Sequence, residues 1–285
     1  MPDDNPLISV IIPTYKRPEI VERAVKSVLN QTYDNIELIV VNDHPGTDLS
    51  HIDKMDSQVE LINHEENKGA CKARNTGIEA AEGEYIGLLD DDDEYLEDKI
   101  QKQVNQFQQL PEEYGMVYSG VEEVENGEIV NKKIRAGRKF LSRKREGWVY
   151  QELLRGNMIP APTVLVKKEC FDKVGMFDPE FESSQDLDMW LRISREYKIG
   201  KLDEALARYH LDGEDRISEN SDKKIQGKQK ILEKYGEDIQ KSPQARLAVK
   251  TELETYKLQK KLDSPVMNQI ISKIRLAGIA LSRIG

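Results

Sequence analysis

Four consecutive aspartates, Asp90 to Asp93, followed by Glu94, come directly after the apolar run Tyr85-Ile86-Gly87-Leu88-Leu89. Like charges this close repel one another, and a cation among them relieves the repulsion. Asp90, Asp91 and Asp92 have the spacing Asp-x-Asp, which can set two hard oxygen ligands around a divalent ion. The same run also suits the start of a helix, where the carboxylates from Asp91 to Glu94 would meet the positive end of the macrodipole. The residues alone leave both readings open.

Four further segments carry groups able to bind or react. They are Pro13-Thr14-Tyr15, Asn42-Asp43, the stretch Asn67-Lys68-Gly69-Ala70-Cys71-Lys72-Ala73-Arg74-Asn75-Thr76-Gly77, and Gln185-Asp186-Leu187-Asp188. Taken singly, Asp43 also reads as a turn carboxylate, Arg74 as a helix-surface charge and Asp186 as a helix cap.

The elements that must position these groups are legible in the apolar pattern. Residues 7–13 form a short strand, and Ile20, Val21, Ala24, Val25, Val28 and Leu29 repeat at helical spacing after it. Strands are expected at 36–41, 59–63 and 83–89, with an Ala-rich helix at 70–82. Alternation of this kind argues for parallel βαβ units, whose ligands bind at the carboxyl ends of the strands. Asn126-Gly127 between 116–124 and 129–134 predicts a hairpin, so the second half of the sheet is mixed. Helix is expected at 149–155, strand at 163–167, helix at 187–196 and strand at 205–210. Segment 137–145 carries Arg138, Lys139, Arg143, Lys144 and Arg145 and reads as a mobile basic loop or a solvated connector. After about residue 220 the composition turns to helical Lys, Glu and Gln.

The chain has 285 residues and a formal net charge of −10. Its length allows one large domain with an appendage, and its charge gives no long-range attraction to nucleic acid or anionic membrane. Cys71 and Cys170 lack metal-site spacing and read as buried apolar residues, which fits a reducing cytosol. The amino terminus lacks the basic and apolar regions of a signal peptide, and no stretch is apolar enough to span a bilayer.

Together the segments resemble the inverting nucleotide-sugar glycosyltransferases of the GT-A fold, family 2. The resemblance runs from about Leu7 to His210 and rests on Ser9-Val10-Ile11-Ile12-Pro13-Thr14-Tyr15, Asn67-x-Gly69 with Ala73-Arg74-Asn75-x-Gly77, the Asp90 run, Val174-Gly175-x-Phe177-Asp178 and the Asp186 helix. It implies an α/β fold with a Rossmann-like, mixed and mostly parallel sheet flanked by helices. A catalytic domain would span 1–220, with a nucleotide-sugar half to about 115 and an acceptor half from 116, followed by a helical extension at 221–285. The implied activity is metal-dependent transfer of a sugar from a nucleoside-diphosphate donor, UDP-linked, to a hydroxyl of a glycan or glycolipid acceptor.

Residue by residue, the resemblance implies that Asp43 accepts from the N3–H of uracil while Tyr15 and the Pro13 backbone line the base pocket. Asp91 would meet the ribose, and Asp92, with Asp90 and His210, the Mn²⁺ or Mg²⁺ that bridges the phosphates. Arg74 would lie at the diphosphate, and Asp186 would be the catalytic base. Two departures stand out. Asn42-Asp43-His44-Pro45-Gly46-Thr47-Asp48 is one residue longer than the usual Asp-Asp-Gly-Ser-Thr-Asp and stiffened by Pro45. Gln185 replaces the usual acidic residue, a lost charge that should ease ionisation of Asp186.

On the acceptor side, Trp148, Asn157 and the Pro160-Ala161-Pro162-Thr163 segment are candidates to line a cleft, with core packing the other reading of the indole. Met189 and Trp190 are expected inside. Met267, Ile270, Ile271, Ile274, Ala277, Gly278, Leu281 and Ile284 share one helical face. That amphipathic run would lie on the inner face of a membrane, on the catalytic domain or on a second copy. Residues 245–262 read as a solvent-exposed connecting helix. Competing readings are a silent sugar-nucleotide or glycan-binding module, a Ca²⁺-binding acidic domain, which lacks the EF-hand ligand pattern, and a nucleotidyltransferase, which lacks a Gly-rich loop after the first strand.

Overall fold

The computed structural model describes residues 5–133, 145–212 and 220–262. The basic residues of 137–144 and the amphipathic run at 267–284 lie outside them. The first half reads β1 (Ile8–Thr14), α1 (Pro18–Leu29), β2 (Ile36–Asn42), β3 (Val59–Asn63), α2 (Ala70–Ala80) and β4 (Tyr85–Leu88). There follow β5 (Glu94–Tyr95), α3 (Lys99–Gln109), β6 (Tyr114–Glu125), β7 (Glu128–Lys133), α4 (Tyr150–Leu153), β8 (Val164–Lys167), α5 (Lys168–Val174), α6 (Gln185–Glu196) and β9 (Lys198–His210). Helices α7 (Ser221–Lys241) and α8 (Pro243–Leu262) close the described chain.

All the described strands join one sheet in the order β3-β2-β1-β4-β8-β6-β9-β5, with β7 beside β6. The first four of that order are parallel, and β8 enters antiparallel between β4 and β6. This is the mixed α/β architecture expected from the sequence. Successive side chains point to opposite faces, and both faces are covered, so these strands read as nearly continuous apolar runs. Ile8, Val10 and Ile12 of β1 pack with Val21 and Val25 of α1 and Ile100 and Val104 of α3. Ile11 faces the other way, into a core shared with Ala73 of α2, Trp190 of α6 and Phe171 of α5. Asn126 and Gly127 both take positive φ, 51° and 79°, as a two-residue hairpin turn requires.

Several expectations change. Ile231, Tyr235 and Ile239 of α7 and Ala245 and Val249 of α8 belong to the same core as α2 and α6. Helices α7 and α8, beyond the compositional change near residue 220, thus contribute to that core. Helix α8 is not solvent-exposed all round, because Ala245, Ala248, Val249, Glu252 and Thr255 are buried along one side. There Glu252 meets Lys228 of α7 at 2.7 Å. The high charge of this segment had masked its apolar stripe. Strand β9 begins at Lys198 instead of 205, because its register against β6 shifts near Tyr118 and Gly120 and breaks the alternation. Helix α4 is a single turn that ends before Gly156, whose φ of 130° suits glycine alone. Thr163 lies in a 3₁₀ turn set by Pro160 and Pro162, not in β8. Cys71, Cys170, Met189 and Trp190 are buried as expected.

Candidate active site

Parallel pairing sets Thr14 opposite Asn42, and the Asp43 N–H donates to the Thr14 carbonyl at 2.9 Å. Tyr15 and Asp43 therefore leave the sheet side by side at the carboxyl edge. Tyr15 stays exposed and meets His44 edge to face, with centroids 5.3 Å apart. Asp43 is buried and closely held: Oδ1 accepts from His64 Nδ1 at 2.7 Å and from the Lys68 N–H at 2.8 Å, and Oδ2 from the Gly69 N–H at 2.7 Å. A carboxylate offers about four acceptor positions, so Oδ2 keeps an open one. Gly69 reaches Asp43 with φ of 86°, which accounts for glycine in Asn67-x-Gly69. The far nitrogen of His64 meets Thr76 Oγ1 at 3.0 Å. The longer loop with Pro45 is closed by Asn42, whose Nδ2 donates to the Thr47 carbonyl at 2.9 Å while Oδ1 accepts from the His44 N–H at 3.1 Å.

The aspartate run follows β4 on the same edge, and cationic side chains hold it. Arg17 Nη1 donates to Asp91 Oδ1 at 2.9 Å and to Asp92 Oδ2 at 3.2 Å, and Thr14 Oγ1 donates to Asp91 Oδ2 at 2.7 Å. Burial pushes the Asp91 carboxyl up to about 6, with Arg17 and Thr14 acting against it. Arg74 Nη2 pairs with Asp90 Oδ1 at 2.6 Å, and Arg23 Nη2 donates to the Asp92 carbonyl at 2.6 Å. The His210 N–H donates to Asp93 Oδ1 at 3.1 Å. Its ring, expected beside Asp90 and Asp92, is instead engaged by Glu94, with Nε2 and Oε1 2.5 Å apart. That contact, ahead of Arg23, lowers the Glu94 pKa.

Among the described residues no three His, Cys, Asp or Glu side chains converge as metal ligands. The donor set still suits a hard divalent cation, because Mg²⁺-like ions are held by one or two carboxylates and complete their shell with phosphate oxygens and water. Asp90, whose side chain is about a third exposed, and Asp92 are the two carboxylates that would supply such a pair.

Arg74 ties this run to the start of α6. Its Nη1 donates to Gln185 Oε1 at 2.6 Å while Nη2 holds Asp90. Next to it, Asp186 Oδ1 accepts from the Leu187 N–H at 2.8 Å and Oδ2 from Asn157 Nδ2 at 2.5 Å. The carboxylate keeps a solvent-facing edge but is crowded, and burial raises its pKa. Its hydrogen bonds and Arg74 oppose the rise, and Asp90 adds to it. Burial dominates the upward shift at Asp186, and the Gln185 side chain serves Arg74. Asn75 fixes the approach to α6 by bonding Phe177 in both directions, Nδ2 to its carbonyl at 2.8 Å and Oδ1 from its N–H at 2.9 Å.

Ser184, with φ of 64°, turns the chain into α6, and α7 presses against this turn. A Cβ on Gly227 of α7 would lie 2.5 Å from the Ser183 carbonyl oxygen. Tyr235 of α7 donates to Asp188 Oδ1 at 2.7 Å, and Lys234 pairs with the same carboxylate at 2.9 Å. Gly227→Ala should therefore lower the melting temperature by a few degrees: overpacking costs about 1–3 kcal/mol, against a gain of about 1 kcal/mol in helix propensity. A scan of the purified variant checks this, and a melting temperature at or above wild type would mean that the Ser183 turn yields freely.

The acceptor candidates separate. Thr163 is fully buried, its hydroxyl donating to the Pro160 carbonyl at 2.7 Å, so it cannot line a cleft. Trp148 is exposed but lies by Lys198, 5.9 Å from its ring. Lys198 pairs with Tyr114, and register through β8 brings that level to Tyr85 at the start of β4. Trp148 thus sits at the sheet edge opposite the aspartate run. Of the three, only Asn157 reaches the site. Arg17, His64 and Gln185 complete it; of these only Gln185 stands in a segment singled out in the sequence, and its link to Arg74 was not foreseen.

The family model for glycosyl transferase family 2 matches residues 9–158. The chain is 32% identical over 213 residues to TuaG of Bacillus subtilis (strain 168), a protein provisionally named a teichuronic acid biosynthesis glycosyltransferase, covering 73% of this chain and 80% of that one. It is 29% identical over 248 residues to the Escherichia coli UDP-Glc:α-D-GlcNAc-diphosphoundecaprenol β-1,3-glucosyltransferase WfgD, covering 86% of this chain and 90% of that one. It spans between 31% and 59% of the length of five rickettsial relatives. The solved structure of the mannosyltransferase PcManGT from Pyrobaculum calidifontis, in complex with GDP-Man and Mn²⁺, superposes with a TM-score of 0.63 at 17% identity, covering 99% of this chain and 84% of that one.

Proposed function

Because the chain belongs to glycosyltransferase family 2, with the GT-A fold, we propose that it is an inverting, metal-dependent enzyme. In this reading it moves a sugar from a UDP-linked donor to a hydroxyl of a saccharide or lipid-linked acceptor in surface-polysaccharide synthesis. The observation that carries this reading is Arg74, which joins Asp90 at the end of β4 to Gln185, the neighbour of Asp186, at the start of α6. It sets a phosphate-binding cation between an acidic donor edge and a carboxylate with a raised pKa.

Asp43 Oδ2, which keeps an acceptor position, would take the N3–H of uracil, and Tyr15 would offer a ring face to the base. Asp92, with Asp90, would hold Mn²⁺ or Mg²⁺, whose charge offsets that of the diphosphate. Asp186 takes the proton of the acceptor hydroxyl as that oxygen attacks the anomeric carbon on the side opposite the nucleoside diphosphate. The C–O bond to the diphosphate breaks in the same displacement, so configuration inverts. A base whose pKa is lifted towards neutrality holds the proton more strongly in the transition state. Arg74, already fixed at the edge, stabilises charge on the departing diphosphate. Residues to about 115 hold the donor in this scheme, residues 116–220 the acceptor, and 221–285 extend the fold. The named activity of WfgD supports a lipid-diphosphate acceptor.

A thermal-shift screen of nucleoside-diphosphate sugars, each with and without Mn²⁺, tests the donor half. A ligand at about a hundredfold its dissociation constant adds roughly 2.7 kcal/mol of stability. Stabilisation by a UDP-sugar that requires Mn²⁺ is the expected result. Stabilisation by GDP-sugars alone would overturn the uracil assignment of Asp43, and equal shifts without metal would overturn metal dependence.

A further inference from the structure

We infer that Asn157 is the positioning residue for Asp186, holding the plane of its carboxylate rather than contacting the acceptor. The inference rests on the reading of Asp186 as the base.

The loop that carries Asn157 is fastened to α6 at two points. Asn157 Nδ2 donates to Asp186 Oδ2, and the Ile159 carbonyl, two residues on, accepts from Trp190 Nε1 at 3.0 Å, four residues beyond Asp186. Trp190 and Ile159 are both fully buried, so the second point is fixed by the core. The amide has only one workable orientation: Oδ1 accepts from the Ile159 N–H at 3.0 Å, which turns Nδ2 towards Asp186. Gly156, with φ of 130°, delivers the chain to Asn157 through a conformation that other residues avoid.

Asp186 thus has one protein hydrogen bond on each oxygen, from the Leu187 N–H and from Asn157. A carboxylate held only by its own following N–H would rotate about its terminal bond. The second donor stops that rotation and fixes the directions of the remaining lone pairs. Misplacing a reacting group by about 1 Å can cost on the order of a hundredfold in rate.

The test uses Asn157→Ala and Asn157→Asp, each alone and combined with Asp186→Asn. Asn157→Asp keeps the acceptor for the Ile159 N–H, so the loop stays anchored while the contact with Asp186 becomes oxygen against oxygen. With UDP-glucose and α-D-GlcNAc-diphosphoundecaprenol as probes, kcat should fall at least tenfold in both single variants. The acceptor KM should stay within about twofold and the donor-induced thermal shift should be unchanged. In the Asp186→Asn background neither substitution should lower residual turnover further, since coupled residues are non-additive. Independently of substrate, urea midpoints of Asn157→Ala, Asp186→Asn and the double variant should be non-additive. A raised acceptor KM with kcat held, or additive effects in either cycle, would overturn the inference while leaving the base intact. Transfer retained by Asp186→Asn alone would remove the base, and the inference with it.

Discussion

Asp186→Asn is expected to bind the nucleotide sugar as wild type does and to transfer it at least a hundredfold more slowly. The substitution preserves shape but removes the proton acceptor, and general-base catalysis contributes about 10²–10⁴-fold. The donor-side groups are untouched: Arg74 keeps Asp90 and Gln185, and Asp43 keeps its three donors. One local bond will suffer, because an amide has a single oxygen and cannot accept from Leu187 and Asn157 in the way that two carboxylate oxygens do. The loss should therefore appear in kcat, with the donor-induced thermal shift maintained. Transfer within tenfold of wild type would rule out Asp186 as the base.

Asp92→Ala should have the opposite profile. The Mn²⁺-dependent part of donor stabilisation, about 2.7 kcal/mol at a hundredfold the dissociation constant, should vanish. The ligand-free protein should fold almost as well as before. Asp92 presses a like charge against Asp91, and Arg17 keeps its 2.9 Å contact with Asp91 when Asp92 is gone. Chemical denaturation without ligand and thermal shifts with UDP-glucose and Mn²⁺ separate the two effects. An unchanged metal-dependent shift would rule out Asp92 as the metal carboxylate.

Strands β1 and β2 were readable because they are buried on both faces. Ile8 to Ile12 and Leu38 to Val41 leave no polar side that could suggest another element, and the chemical residues fall at their ends. What the sequence could not reveal were partners. Arg17 reaches Asp91 across 74 positions, Asn157 reaches Asp186 across 29, and His64 reaches Asp43 across 21. No local period encodes such pairs. Trp148 was misplaced for a related reason: an indole announces a ring, while its sheet edge depends on where β9 begins. Helix α8 misled because Lys228 and Glu252 neutralise each other inside the packing. Read along the chain, that pair looks like two more charges on a wet surface.

Gly227 has a bearing on how such proteins can be recombined. With no space between α7 and the Ser183 carbonyl, and with Tyr235 and Lys234 bonded to Asp188, the tail and the turn that presents Asp186 are fitted to each other. A chimera joined at residue 220 would set a foreign helix against a turn shaped for this one. The workable crossover lies upstream of the turn, so that α6, β9 and α7 are inherited as one cassette.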